Sequence, residues 1–171
     1  MNIKDSTFLV TGGSAGIGKA TAKLLVEKGG KVAITGRDKS KLEKVAKEIE
    51  AFPIHADVAL ENDAHKTYEL FLKQFGRLDC LINNAGIGDA WNEITELDMK
   101  AFHKVYDVNV FGVALMASEA AKLFKKQKSG NIINIASTAG TKGFANGTVY
   151  SSSKFALRGM TQCWQAELRK Y

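Results

Sequence analysis

Five short apolar runs, at residues 7–10, 31–35, 52–55, 78–82 and 131–136, alternate with stretches of helical periodicity. The first helical stretch, 19–28, puts Ala22, Leu25 and Val26 on one face and stops at Gly29 and Gly30. Asp38 caps a lysine-rich helix whose apolar stripe is Leu42, Val45, Ala46 and Ile49. A third helix over 59–75 turns Ala64, Tyr68, Phe71 and Leu72 inward. A long helix is expected over 98–128, with Asn109 in its middle, and a last one from about 149 to 171. Apolar strands that alternate strictly with helices imply a parallel sheet covered by helices on both faces, an α/β doubly wound architecture. In such sheets ligands gather at the carboxyl ends of the strands. The polar and glycine-rich clusters at 11–18, 36–38, 57–58, 83–86 and 137–140 all fall there.

The chain is long enough for one domain with a real core, at 171 residues. A net charge of +6 is spread without a basic block, which favours solvated helix faces over nucleic-acid binding. Cys80 and Cys163 are distant and lack a paired spacing, so reduced thiols are expected, with neither a disulfide framework nor a zinc site. His55, His65 and His103 share no ligand spacing, and no metal is assigned. No signal-like stretch or membrane-length apolar run stands out, so a cytoplasmic protein with no membrane partner is expected.

Gly12, Gly16 and Gly18 lie between the first strand and its helix. Glycine lets backbone approach a phosphate closely, and the helix N-terminus behind it offers free N–H groups. The spacing is GxxxGxG, and nucleotide phosphate binding is the reading over a plain turn. After the second strand, where an acid would read a ribose 2′-hydroxyl, stand Gly36 and Arg37. Arg37 is either the planar partner of a 2′-phosphate, implying NADPH over NADH, or an exposed residue before a cap. Asp57 either accepts from an adenine amine or caps the next helix.

Tyr150 and Lys154 are four apart and so share one helix face. A phenol is a poor proton donor or acceptor at neutral pH unless neighbouring positive charge favours its ionised form. On its own this spacing is that of many solvated pairs.

Together, Thr11-Gly-x-x-x-Gly-Ile-Gly18, Asn83-Asn-Ala-Gly86, Asn109-Val-Phe-Gly112, Ser137 thirteen residues before Tyr150, and Tyr150-x-x-x-Lys154 resemble the short-chain dehydrogenase/reductase family. The match runs the length of the chain in the family's order, and is most similar to members that reduce 3-oxoacyl thioesters or oxidise secondary alcohols. The resemblance implies a Rossmann-like fold and an NADP-dependent oxidoreductase acting on a small carbonyl or alcohol, with NADP(H) favoured over NAD(H). It implies that Tyr150 is the general acid or base, with Lys154 beside it and in contact with the nicotinamide ribose. An oxidised nicotinamide would add the further positive charge that the phenol needs. Ser137 would polarise the substrate carbonyl, and Asn109 would carry a water that relays protons towards Lys154. The cofactor would lie against Gly12, Ser14, Gly16, Ile17 and Gly18, then Arg37, Asp57 and Val58, then Asn84, Ala85 and Gly86, ending at Tyr150 and Lys154.

The family fold continues past the helix that begins near Tyr150, with further strands and a substrate loop. Residues 1–171 are therefore expected to be a single dinucleotide-binding domain from which the family's C-terminal part is absent. The isoleucine-rich run 131–136 reads as an interior strand covered on both sides, to be shielded by the rest of the fold or by a partner chain. The alternative function is a nucleotide-binding or interaction protein that keeps the fold but is catalytically impaired by the absence of the C-terminal part. The helices near 98–128 and 149–171 resemble the pair that builds a dimer or tetramer interface in the family. Ala114, Leu115, Ala117 and Ala121 suit such a contact, or else face the chain's own sheet.

Overall fold

One parallel sheet organises residues 2–89 and 91–171, which the computed structural model describes. Its strands are β1 (Thr7–Val10), β2 (Lys31–Gly36), β3 (Phe52–His55), β4 (Cys80–Asn83) and β5 (Asn131–Asn134). Their order is β3-β2-β1-β4-β5, and every pairing is parallel. The connections are α1 (Gly16–Glu27), α2 (Lys39–Glu48), α3 (Glu61–Phe75), α4 (Met99–Tyr106) and α5 (Val113–Gln127), with α6 (Thr148–Leu168) after β5. Strand order reverses between β1 and β4, and a crevice opens there at the strands' carboxyl ends.

Side chains alternate across each strand, so the sheet feeds two cores. Phe8, Val10, Val32, Ile34, Cys80 and Ile82 pack with Leu25 of α1 and Leu42 and Val45 of α2. Leu9, Ala33, Ile54 and Leu81 pack with Tyr68 and Phe71 of α3 and Met116, Ala117 and Ala120 of α5. The buried Tyr68 hydroxyl donates to the Met116 carbonyl at 2.6 Å and so ties α3 to α5. The α2 stripe is buried as its periodicity predicts. Leu72 and Val26, also expected inward, are half-buried, at the margins of their helices' apolar faces.

Three features depart from the expectations. First, α1 begins at Gly16, three residues before the periodic apolar pattern, so the glycine cluster supplies the helix's first turn. Second, the long helix is not continuous: between α4 and α5, residues Asp107–Gly112 form a π-helical segment with Asn109 inside it. Third, β5 pairs with β4 alone among the described residues, and Asn131 and Ile133 are exposed. An isoleucine-rich run predicts two-sided cover; here Ile132 packs on one core and Ile135, just past the strand, on the other, whereas Ile133 stays exposed. Of the small residues of α5, Ala117 is buried against the sheet and Leu115 packs on the same core, whereas Ala114 and Ala121 are half-buried. No helix among the described residues is long and apolar enough to cross a membrane.

Candidate active site

The crevice is closed at one end by the loop after β1. Gly12 holds φ +65°, and a Cβ there would stand 2.9 Å from the Ala85 Cα, so only glycine allows the loops after β1 and β4 to meet this closely. Thr11 fastens the same junction: its hydroxyl oxygen accepts the backbone N–H of Asn84 and of Ala85, each at 3.0 Å. The Asn84 amide nitrogen donates to the carbonyls of Thr11 at 2.9 Å and Gly12 at 3.2 Å. The role of Asn84 in this structure is thus to hold the glycine loop, and Thr11 is the hub that the motif concealed. The Gly13 N–H donates to the Thr35 carbonyl at 3.0 Å, which fixes the loop over the end of β2.

At the outer end of the crevice, Arg37 faces Asp57 with a separation of 3.9 Å between Nη1 and Oδ2. Such an exposed pair contributes about 0–1 kcal/mol, which leaves the guanidinium free to exchange partners. Asp57 Oδ1 accepts the Ala59 N–H at 3.0 Å, a local turn ahead of α3. Val58 is buried beside it.

The π-helical segment explains why asparagine stands in mid-helix. A single extra residue per turn pushes one side chain off the regular helical face, and here that residue is Asn109, which is 1% exposed. Its Oδ1 accepts the Ile87 N–H at 2.8 Å, and its Nδ2 donates to the Ile87 carbonyl at 2.9 Å and to Ser153 Oγ at 3.1 Å. Ser153 in turn donates to the Tyr150 carbonyl at 2.7 Å. Asn109 therefore clamps the loop after β4 to the first turns of α6. A Cβ on Gly86 would stand 3.3 Å from Asn109 Oδ1 and 3.7 Å from Lys154 Nζ, so both polar groups face the same small space.

Tyr150 and Lys154 share the crevice side of α6. Lys154 is buried, with its Nζ 5.8 Å from the centre of the Tyr150 ring, and donates to the Ile135 carbonyl at 2.9 Å. An ammonium has three N–H donors, and two of them stand beyond that bond. Ser137 follows Ile135 by two residues; its Oγ accepts the Ala139 N–H at 3.2 Å and caps the 3-10 turn Thr138–Gly140. The cleft between these groups measures about 380 Å³ and is lined by Gly12, Gly16, Ile17, residues 84–88, Ile135, Ala136, Tyr150 and Lys154. Ser14, Gly18, Arg37, Asp57, Val58, Asn109 and Ser137, also expected at the site, stand outside that lining. A larger cleft of about 690 Å³ runs along β5 and α6, away from this set.

Burial holds the Lys154 ammonium below its ordinary value of 10.5. Between that lowered folded value and 10.5, the unfolded chain binds more protons than the folded one, so stability rises with pH across the window. Urea midpoints measured from neutral pH upwards are expected to improve for the native protein relative to Lys154→Met. A difference between the two that is flat with pH would contradict the burial cost.

The profile of the family described as short chain dehydrogenase matches residues 6–171. An uncharacterized oxidoreductase of Listeria monocytogenes is 36% identical over 172 residues, covering 98% of this chain and 69% of the relative. Among solved structures, a 3-ketoacyl-(acyl-carrier-protein) reductase from Brucella melitensis complexed with NADH superposes with a TM-score of 0.93 at 34% identity, covering 98% of this chain and 71% of that one. The closed form of a serine dehydrogenase complexed with NADP+ superposes at 0.91 with 26% identity, covering 95% and 66%. The chain spans about two thirds of the length of each.

Proposed function

We propose that this chain, which belongs to the short-chain dehydrogenase family, is the catalytic dinucleotide-binding domain of an NADP-dependent oxidoreductase acting on a ketone or secondary alcohol. The observation that carries this reading is the meeting of the glycine loop, Tyr150 and the buried Lys154 around one cleft. The cleft fits a dinucleotide in two respects. Gly16, at the first turn of α1, has open space where a Cβ would be, so backbone N–H groups are accessible to a phosphate. The N–H groups left on Lys154 suit ribose hydroxyl acceptors. Ser14, Ile17 and Gly18 complete the phosphate side, residues 84–86 the ribose side, and Asp57 and Val58 the adenine end.

The nicotinamide, when bound, supplies or takes up the hydride. The remaining chemistry belongs to this chain. The Tyr150 hydroxyl gives its proton to the carbonyl oxygen in reduction and takes one from the alcohol in oxidation. The Lys154 ammonium stands next to the ring, its Nζ 5.8 Å from the ring centre. Ser137 Oγ accepts from Ala139 and keeps its own O–H for the substrate oxygen. Asn109 holds the loop at Ile87 and faces the space next to Lys154, where a water would pass protons outward.

A panel of ketones mixed with NADPH tests the activity: cofactor that binds but is consumed with none of them sinks this reading. Arg37 carries the cofactor preference through a charge-assisted bond to the 2′-phosphate. Arg37→Ala is expected to weaken NADPH binding about tenfold and to leave NADH binding unchanged. Equal losses for the two cofactors, titrated by fluorescence, would remove Arg37 from this role.

A further inference from the structure

We infer that Trp91 and Phe144 form an aromatic wall that selects substrates bearing an apolar ring beside the reacting carbon. This rests on the reading of Tyr150 as the group that meets the substrate oxygen. Trp91 comes from the loop after β4 and Phe144 from the loop before α6, yet their rings stack with centroids 5.9 Å apart and planes 27° apart. Trp91 also leans on the Tyr150 ring, at 5.5 Å and 49°. Neither ring belongs to the core: Trp91 is 51% exposed and Phe144 52%. Two large aromatic side chains left half in water, one of them in contact with the tyrosine and the other stacked on the first in turn, are a surface prepared for a ligand.

The wall is seated. A Cβ on Gly88 would stand 2.9 Å from Trp91 Cζ2, and one on Gly147 would stand 2.6 Å from Phe144 Cε2. Each ring thus lies directly on a glycine. The Trp91 loop is pinned twice, by the Asn109 clamp at Ile87 and by the Asp89–Lys104 ion pair at 3.1 Å. A wall fixed before binding loses little freedom on contact with a rigid partner.

The two rings narrow the substrate class. Their side chains offer a carboxylate or polyol little to pair with, whereas a flat or alicyclic hydrocarbon matches the indole and phenyl surfaces. The occupant is therefore a cyclic or aryl ketone, or the matching secondary alcohol.

Calorimetric titration of the NADP+-loaded protein with decalone and with hydroxyacetone tests this, with turnover on NADPH followed separately. The native protein is expected to prefer decalone. Trp91→Ala and Phe144→Ala should each lower decalone affinity about tenfold without changing hydroxyacetone or NADP+ binding. Trp91→Phe, which keeps an aromatic face, should restore most of the loss. No preference in the native protein, or a preference unchanged in Trp91→Ala, would overturn the wall whatever the turnover. Decalone binding that depends on both rings, without NADPH consumption, would uphold the wall and overturn the oxidoreductase reading instead.

Discussion

Tyr150→Phe is expected to lower kcat by about a thousandfold, within the range for loss of a positioned acid–base group. The exchange removes one oxygen and keeps the ring. The contacts of that ring with Trp91 and with the Lys154 ammonium are contacts of its faces and edges, so the helix and the wall are retained. NADPH affinity should not change if the phenol acts, as proposed, by proton transfer in the transition state. Loss of such an interaction lowers kcat and kcat/KM together, by about 4 kcal/mol for a thousandfold effect. Steady-state kinetics alongside a cofactor titration check this. Turnover that survives in the variant would remove Tyr150 from the chemistry; a matching loss of cofactor affinity would reassign it to binding.

Asn109→Ala is expected to destabilise the fold by about 3 kcal/mol, since a buried group left without its partner costs about 1–3 kcal/mol. Three groups are orphaned at once: the Ile87 N–H, the Ile87 carbonyl and Ser153 Oγ as an acceptor. For a chain of this length that corresponds to a fall in Tm of about 6–12 °C. The π-helical segment exists to aim this side chain, so the variant should also lose the reason for the distortion. Ser153→Ala, which removes one of the three bonds, should cost about 1 kcal/mol. Urea unfolding of the two variants separates the cases. A loss in Asn109→Ala no larger than that in Ser153→Ala would mean that the loop after β4 does not depend on the clamp.

The sheet was legible because its strands are short apolar runs cut off sharply by polar residues. β1 and β3 occupy the residues expected, and β2 gains one residue at Gly36. The start of α1 was not legible. Glycine has poor intrinsic helix propensity, yet Gly16, at φ +52°, is where α1 begins. Nor was the break at residues 107–112. Asn109 and Gly112 are weak helix formers, but neither marks a π-helical turn, and Ile87, the partner that holds Asn109, lies 22 residues earlier. The apolar character of 131–136 told how much surface the run could bury, but not which neighbours bury it: Ile132 and Ile135 reach the two cores, whereas Ile133 is exposed.

Within the site, residue types at motif positions could be read directly, but their partners could not. Thr11 meets Asn84 across 73 residues, and its hydroxyl looks like part of a turn until the two strands are adjacent. Asn109, Tyr150 and Lys154 converge around the loop after β4, whereas Asp57 makes a local turn bond ahead of α3, close to the capping alternative, and Ser137 makes a local bond that its spacing from Tyr150 does not reveal. Trp91 and Phe144 lie in loops without periodicity, and only their stacking on one another beside Tyr150 gives them meaning.

The most direct test of the account is transfer of the label itself. The protein is mixed with a cyclic ketone and NADPH carrying deuterium at the reactive carbon of the nicotinamide, and the alcohol product is analysed by mass spectrometry and NMR. The account predicts one deuterium, on the carbinol carbon, in step with loss of the reduced cofactor. Cofactor bound at the glycine loop with no deuterium reaching any ketone would contradict it, and would leave a nucleotide-binding protein in its place.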